Sequence, residues 1–478
     1  MIRVSLKSIV AGLAASVALS STAMAGGFDR GGVNTDLLFS DKRVDTELSV
    51  TYVSPQRTIN NVTRGTNEAT QAAIGTALAP VVGAAGPIAT PAEIQAFIAA
   101  NPAVNGPTVQ AVQTGVIGAI VGGGGNPNPA SSGSIDVDGD YVVPRVGLKV
   151  GLTDDISCLG TYTEPFGAEA EYGTGNAYSA SATAFSIETR DIGLTCSYRF
   201  AGMQLGVGQS YFRIIGGVSY QELDGFQARQ RFLDFANLGQ TAIPGTGVTN
   251  TSGIGTFSVG GDAVGYRLGA AFEIPDIAFR ASLMYSSKYE YDLSGTQDNT
   301  GFGAIIPGSQ IVPITMNTEI PQSVEFKVQS GIAPGTLAFA SVKWQQWSRL
   351  GIIPVNGGRS PVDGQPTSLS FDPVYRDGWT VTGGVGRKFN DSLSGSLALT
   401  WDRGTATTTG TQTDTWTVSG GLAHEVNENI ELRVGGAIGL LTSGTSVPAP
   451  GGDAANNVTY SFGNDVVYAL SGALKVKF

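Results

Sequence analysis

The residues best suited to bind a ligand stand between positions 222 and 261, where apolar side chains recur at roughly helical spacing around two arginines. The arginines are Arg229 and Arg231, and the apolar residues are Phe226, Phe232, Leu233, Phe235 and Leu238. Burial of an alkyl chain contributes about 0.8 kcal/mol per CH₂, and an arginine offers a two-pronged donor to a carboxylate. The segment predicts either a capture site for an amphipathic ligand or an ordinary loop helix with solvated arginines.

Residues that could catalyse a reaction are few. His424 is the only histidine, and it stands beside a short turn at Asn427-Glu428, so we expect an exposed turn residue and no enzyme. The sequence has no CxxC motif and no Cys/His cluster, so neither a metal site nor a cofactor is expected. The two cysteines, Cys158 and Cys196, would either form one disulfide in an exported chain or remain two small buried residues.

Residues 466–478 predict the kind of secondary-structure element that must position the candidate site residues. Every second residue from Val466 to Phe478 is apolar or glycine, whereas the other parity carries Lys475, Lys477 and mostly small residues. Because residues two apart share one face of a strand, the segment predicts a strand with one apolar and one polar face. In a transmembrane barrel the apolar face meets lipid, and aromatic residues lie at the interface.

The amino-terminal residues have the features of a secretory signal peptide. Arg3 and Lys7 precede an apolar run at 9–19, and the Ala-Met-Ala sequence at 23–25 matches a cleavage site. We therefore expect residues 1–25 to be removed near Ala25 and the mature chain to be exported.

Composition and net charge narrow the class of protein further. The chain is 41% hydrophobic and 14% charged, contains 67 glycines and carries a net charge of −11, which disfavours nucleic-acid binding. Beyond the signal segment we find no run of about 18 apolar residues, so no spanning helix is expected. A membrane form must then be a closed barrel, because an open sheet would leave backbone groups unpaired in lipid.

Segments of period two, bounded by turn residues, predict an all-β, antiparallel transmembrane barrel of about fourteen strands. Short turns alternate with long loops, which is typical of periplasmic turns and extracellular loops and places both termini on the periplasmic side. The long loops at 61–140 and 222–261 are expected to contain helices, at 66–82 and 91–100 in the first of them. The predicted strands span 45–60, 141–153, 156–166, 182–200, 203–221, 262–274, 277–292, 317–331, 335–351, 375–389, 391–403, 412–426, 429–442 and 462–478.

Charged residues on the less apolar parity of these strands predict a wet interior, because a packed core would not tolerate them. These inward charges would either bind a ligand or form ion-pair ladders that stabilise the barrel. The expected lumen cations are Lys149, Arg213, Arg280, Lys327 and Lys343, with Glu47, Glu325 and Glu431 as candidate partners. The tryptophans at 344, 347, 379, 401 and 416 lie near predicted strand ends and predict an interfacial aromatic belt.

Four short segments carry a resemblance to a known family. They are GTYTEPFG at 160–167, EIPQSVE at 319–325, WQQWS at 344–348 and YRDGW at 375–379. With the fourteen strands, these segments resemble the FadL/TodX-like family of outer-membrane transporters for long-chain fatty acids and hydrocarbons. The resemblance is diffuse but covers most of the mature chain.

The resemblance implies a barrel plugged by an amino-terminal hatch, assigned here to residues 26–44, inside a barrel of residues 45–478. It also implies lateral exit through a kink in the third strand, which falls at Pro165, Phe166 and Gly167. Proline lacks a ladder donor and glycine tolerates distortion, so a break there also follows physically, although Pro165 would equally mark a strand end. The chain departs from the family in its short hatch, where residues 34–36 replace an Asn-Pro-Ala element.

These observations predict passive transport of hydrophobic compounds, most simply long-chain fatty acids, across the outer membrane of a Gram-negative bacterium. The alternatives are a general diffusion porin and a structural or adhesive surface barrel. The expected partners are outer-membrane lipid, a hydrophobic small molecule and the insertion machinery, which would recognise the strand ending at Phe478. Nucleic acid is not expected.

Overall fold

A computed structural model describes residues 27–64, 131–137, 139–234, 250–302, 310–359, 366–453 and 456–478, with backbone alone described for 231–234 and 250–252. The signal segment and the helices predicted at 66–82 and 91–100 lie outside these residues. Among the described residues, no helix is long and apolar enough to cross a membrane.

The predicted barrel is confirmed: fourteen strands form one antiparallel ring. The first strand pairs with the last, from Asp45 opposite Lys477 to Gln56 opposite Val466, which closes the sheet. The strands are β1 Val44–Arg64, β2 Tyr141–Gly151, β3 Ile156–Thr163 and Gly167–Glu171, β4 Ala184–Arg199, β5 Gly208–Asp234, β6 Asn250–Ile274, β7 Phe279–Ser286 and Tyr289–Asp298, β8 Ile311–Ile320 and Ser323–Ala333, β9 Thr336–Gln345, β10 Gly378–Lys388, β11 Leu393–Arg403, β12 Thr415–Glu425, β13 Ile430–Leu441 and β14 Asp465–Lys477.

The two faces of the ring have opposite chemistry. On β14, Leu470 is 66% exposed on the outside, whereas Lys475 is 7% exposed on the inside. On β13, Val434 points outward and Arg433 points inward, where it is buried. An apolar outer surface with buried charge behind it is stable only when lipid covers the outside and polar groups pair inside.

The long β5–β6 hairpin differs from the helical loop that the sequence predicts. Residues 222–261 were expected to form a loop with a helix, but β5 and β6 remain paired from Tyr211 opposite Glu273 out to Asp234 opposite Asn250. The helical interpretation of the segment that begins at Phe226 is therefore wrong for residues up to Asp234. Pairing with residues 250–261 satisfies the backbone groups of the segment that face β6, and this outweighs the weak helical periodicity of one strand alone.

The third strand is broken where the sequence suggested a kink. Its register with β4 runs to Thr163 opposite Asp191 and resumes at Gly167 opposite Glu188, so three residues of β3 face two of β4. On the other side, β2 pairs with β3 only as far as Arg145 opposite Thr163. Among the described residues, no ladder joins the first residues of β2, 141–144, to the second segment of β3. The barrel wall therefore has a gap in its hydrogen bonding between β2 and β3.

The sequence leaves open whether the two cysteines pair. In the structure they form a disulfide with an S–S distance of 2.07 Å. Cys158 and Cys196 lie directly opposite each other in β3 and β4. The bond joins these strands below the break in β3, so the lower half of the third strand is covalently attached to its neighbour.

Candidate functional site

Residues 27–43 lie inside the ring, where a short 3₁₀ helix spans Asp36–Phe39. Leu37 and Leu38 are buried against Leu159 of β3 and Ile215 of β5, both on the inner face of the wall. This apolar contact anchors one end of the segment to the barrel. We refer to residues 27–43 as the hatch.

Charged residues of the wall hold the hatch on one side of the lumen. The Arg280 guanidinium donates to Asp36 at 3.3 Å, and the Lys327 ammonium lies 3.8 Å from the same carboxylate. Lys343 pairs with Asp29, nearer the start of the hatch. All three cations are on the inward face, where the sequence analysis expected lumen cations.

The other two expected lumen cations bind the hatch backbone. Lys149 donates to the carbonyl of Ser40 at 3.1 Å. Arg213 donates to the carbonyl of Leu38 at 3.3 Å and pairs with Glu273 at 3.1 Å. The five wall cations thus share one structural feature that the sequence did not reveal, namely contact with the hatch.

The hatch carboxylate Asp36 is ionised because of these cations. Burial alone would raise its pKa, but Lys327 and Arg280 outweigh burial and lower the pKa of Asp36 below its ordinary value. Its attraction to the wall therefore persists at neutral pH. The attraction is lost only in acid, as the pH falls through the lowered pKa.

A cavity of about 160 Å³ lies between the hatch and the wall and extends to the break in β3. Its polar lining includes Asp36, Lys327 and Lys343, and its apolar lining includes Phe166 and Phe339. Both kinds of group meet in one space, which fits the needs of a ligand with an alkyl or aryl body and a polar head.

A buried polar network borders the cavity and has no counterpart in the sequence analysis. Asp191 of β4 is fully buried and receives hydrogen bonds from Arg267 at 2.9 Å and Gln221 at 3.1 Å. Tyr289 donates to the same carboxylate at 3.1 Å, and Tyr291 donates to Gln221 at 2.6 Å. The residues come from four strands, so only the closed ring brings them together.

Aromatic rings fill the lumen beside this network. Phe28 of the hatch meets Trp347 with ring centroids 5.6 Å apart, and Phe166 meets the same tryptophan at 6.2 Å. Tyr375 lies 5.6 Å from Phe28. Trp347 is 1% exposed, so its assignment to the interfacial belt is wrong, because the chain turns inward after β9 in a short 3₁₀ helix, Trp347–Arg349.

The hatch occupies the backbone groups that the break in β3 leaves unpaired. Arg30 donates its N–H to the carbonyl of Pro165 at 2.8 Å, and Gly167 donates to the carbonyl of Phe28 at 2.7 Å. Phe166, between them, points inward and is buried. The three residues expected at the kink thus lie at the gap in the wall and contact the hatch directly.

The expected capture residues are not brought together on one helical face. Phe226 and Arg229 lie on opposite faces of β5, with Phe226 41% exposed on the outside. Arg229 is not a solvated cation, since it is buried in an ion pair with Asp453 at 2.6 Å. Arg231, Phe232 and Leu233 also belong to β5, whereas Phe235 and Leu238 lie outside the described residues.

His424 lies near the end of β12, where it is exposed and faces Leu393 across the ladder. No cluster of three His, Cys, Asp or Glu side chains suited to a metal occurs in the described part of the chain.

A closed barrel with an internal hatch and a break in its wall defines a plugged transmembrane β-barrel. The model of the outer membrane protein transport family (OMPP1/FadL/TodX) matches residues 37–439, and the chain belongs to this family of outer-membrane transporters of hydrophobic compounds. The family is one of channels rather than enzymes.

Solved structures share the fold at low sequence identity. A FadL homologue from Pseudomonas aeruginosa has a TM-score of 0.64 at 16% identity, and the match covers 96% of this chain and 97% of that one. The Ralstonia pickettii toluene transporter TbuX has a TM-score of 0.51 at 13% identity, with 96% and 97% covered. The monoaromatic hydrocarbon channel CymD has a TM-score of 0.50 at 13% identity, with 93% and 90% covered. No curated protein matches the sequence.

Proposed function

We propose that this protein carries long-chain fatty acids passively across the outer membrane, taking them from outside into the hatch cavity and releasing them through the gap between β2 and β3. The observation that carries the proposal is the cavity itself, which joins an apolar surface at Phe166 and Phe339 to cations at Lys327 and Lys343. A fatty acid presents an alkyl chain and a carboxylate, and this cavity offers a complementary surface to each.

The route begins outside the membrane and ends in its wall. The outer half of the β5–β6 hairpin, which carries Phe232 and Leu233 and is followed in sequence by Phe235 and Leu238, is the proposed place of first capture. Pro165, Phe166 and Gly167 mark the proposed exit, because the ladder between β2 and β3 stops there. We also propose that residues 1–25 are removed near Ala25 during export.

Lysine ammonium groups in the cavity favour an anionic ligand over a neutral one. Lys327 lies 3.5 Å from Glu325 and 3.8 Å from Asp36, so both resident contacts are longer than the roughly 2.7–2.9 Å of a strong charge-assisted hydrogen bond. It is partly exposed to the cavity, with 32% of its side chain accessible. An incoming carboxylate therefore finds a cation that it can approach more closely than either resident partner does.

A second candidate is a channel for monoaromatic hydrocarbons. The cluster formed by Phe28, Phe166, Trp347 and Tyr375 favours it, since aromatic rings pack well on one another. The similar structures of TbuX and CymD carry the names of a toluene transporter and a monoaromatic hydrocarbon channel. The two candidates share the cavity and differ in whether its cations are used.

The test is uptake of labelled oleate and labelled toluene by cells with an intact outer membrane, with and without the gene. Loss of oleate uptake on deletion, restored by the intact gene, is the expected result. Loss of toluene uptake alone would replace the first candidate by the second. Unchanged uptake of both compounds, with a new ion conductance in bilayers, would instead favour a porin.

A further inference from the structure

The hatch carries a buried arginine without a hydrogen-bond partner for most of its head group. Arg30 is 6% exposed, and its Nε and Nη2 atoms make no hydrogen bond within the described residues. An unpaired buried cation is costly, because its hydration is lost without replacement. Such a group needs a local reason to be retained.

The backbone of Arg30 is fixed at the break in the wall. Its N–H donates to the carbonyl of Pro165 at 2.8 Å, and its own carbonyl accepts a hydrogen bond from Arg145 of β2 at 2.7 Å. Arg30 therefore bridges the two strands whose ladder is missing, from the lumen side. The backbone of this hatch residue is therefore held at the gap through both its N–H and its carbonyl group.

The side chain also lies in the gap. The guanidinium stacks on Tyr141 of β2, with 4.2 Å between the Cζ atom and the ring centroid. On the other side it reaches β3, where a Cβ on Gly167 would lie 2.5 Å from the same Cζ atom. A glycine at 167 is thus required for the arginine to occupy its place, a reason for this residue that is independent of backbone flexibility.

We propose that Arg30 is a head-group site at the exit: its guanidinium binds the carboxylate of an outgoing amphipathic monocarboxylate at the gap between β2 and β3. This inference rests on the proposed function and specifies which ligands use the exit. The guanidinium supplies two donors without a partner, Nε and Nη2, which is the geometry that binds a carboxylate with two hydrogen bonds. Neutral hydrocarbons make no use of these donors.

The nearest acidic residue of the hatch does not satisfy Arg30. Asp29 precedes it in the chain, but its carboxylate pairs with Lys343 and accepts the N–H of Gly31 at 2.7 Å. The head group of a membrane lipid is also a poor partner, since Arg30 is almost fully buried on the lumen side of the wall. Glu164, at the break in β3, interacts electrostatically with Arg30 but makes no hydrogen bond to its Nε or Nη2 atoms. A carboxylate that arrives through the cavity is the anion that could use both donors.

The experiment compares oleate with oleyl alcohol, which has the same alkyl chain and an uncharged head. Binding of each to the purified full chain is measured in micelles of a neutral detergent, at a pH where the acid is ionised. Arg30→Met is expected to weaken oleate binding about tenfold, the loss of one charge-assisted contact, and to leave oleyl alcohol binding unchanged. Arg30→Lys should restore part of the difference, because the charge returns without the fork.

Two further variants separate the site from general damage. Gly167→Ala should weaken oleate binding more than oleyl alcohol binding, because its Cβ would lie 2.5 Å from the guanidinium Cζ and 2.7 Å from the Ile187 carbonyl oxygen, and only the first contact concerns the head group. Arg190→Met removes an arginine of β4 that is exposed and paired with Glu222 and Asp224, and it should change neither ligand.

Equal weakening of both ligands by Arg30→Met would show a structural role only and would overturn the proposal, as would unchanged oleate binding. Failure of the wild-type chain to bind either ligand would count against the proposed function instead. The two failures are therefore distinguishable in one set of measurements.

Discussion

Replacing Asp36 by asparagine should loosen the hatch without changing its shape. The amide is isosteric with the carboxylate but removes the charge that faces Arg280 at 3.3 Å and Lys327 at 3.8 Å. Breaking a buried ion pair by removing one partner costs about 3–5 kcal/mol. Both distances are long for ion pairs and the Asp36 side chain keeps 16% exposure, so we expect a smaller loss, of roughly 1–3 kcal/mol. Since about 1.4 kcal/mol is a factor of ten, the released hatch should become roughly five- to 150-fold more populated.

Thiol labelling measures this release directly. Leu37→Cys places a thiol at a buried position of the hatch, and the native cysteines do not compete because they are joined in a disulfide. A membrane-impermeant maleimide should modify this thiol about tenfold faster in the Asp36→Asn background. Asp391→Asn, which alters a fully exposed turn residue, is the matched control and should leave the rate unchanged.

The pH dependence of the labelling rate can refute the role given to Asp36. Because the pKa of Asp36 is lowered in the folded state, its contribution is present at neutral pH and is lost as the pH falls below about 4. Because maleimide reacts with the thiolate, each rate is divided by that of an exposed cysteine measured at the same pH. This normalised labelling of the parent should rise in acid, whereas that of Asp36→Asn should already be fast and respond less. If the two proteins label at the same rate and show the same acid profile, the carboxylate does not hold the hatch.

Two more predictions concern the wall and the outer hairpin. Arg433→Met should destabilise the barrel by about 1–3 kcal/mol in urea unfolding, because Glu47 at 2.9 Å would lose its cation whereas Glu431 keeps Lys477 at 2.6 Å; a change within measurement error would show that lumen water replaces Arg433. Phe232→Asp combined with Phe235→Asp should weaken binding of a long-chain acyl ligand, because the carboxylates would remove apolar contact surface and repel a carboxylate head; unchanged binding would exclude these two residues from the place of capture.

The strand pattern of the barrel was accessible from sequence because each antiparallel pair is local. On β13 the charged residues Glu431 and Arg433 alternate with apolar neighbours, and this alternation alone identifies the inward face. Neighbouring strands are joined by short turns, such as the one at Pro334-Gly335 between β8 and β9. Period and turn chemistry together therefore predict both the ring and the direction of its side chains.

The interior could not be predicted in the same way, because its contacts join residues far apart in the chain. Arg267 and Asp191 are 76 residues apart, and Lys343 and Asp29 are 314 apart. Nothing in the local pattern distinguishes an inward lysine that binds the hatch from one that pairs along the wall. Trp347 illustrates the limit, since its place near a predicted strand end suggests the membrane interface, whereas the folded chain buries it inside the barrel against Phe28 and Phe166.

The hatch and the gap are mechanically linked by the hydrogen bonds at the break in β3. The carbonyl of Pro165 and the N–H of Gly167 have no partner in β2, and Arg30 and Phe28 supply partners instead. Withdrawal of the hatch would leave both groups unpaired within an apolar wall, at a cost of about 1–3 kcal/mol each. Opening is thus favoured only when something replaces those contacts, and water that follows a ligand into the gap can do so. The hatch therefore opposes opening of the gap, and a ligand that fills the gap favours its release.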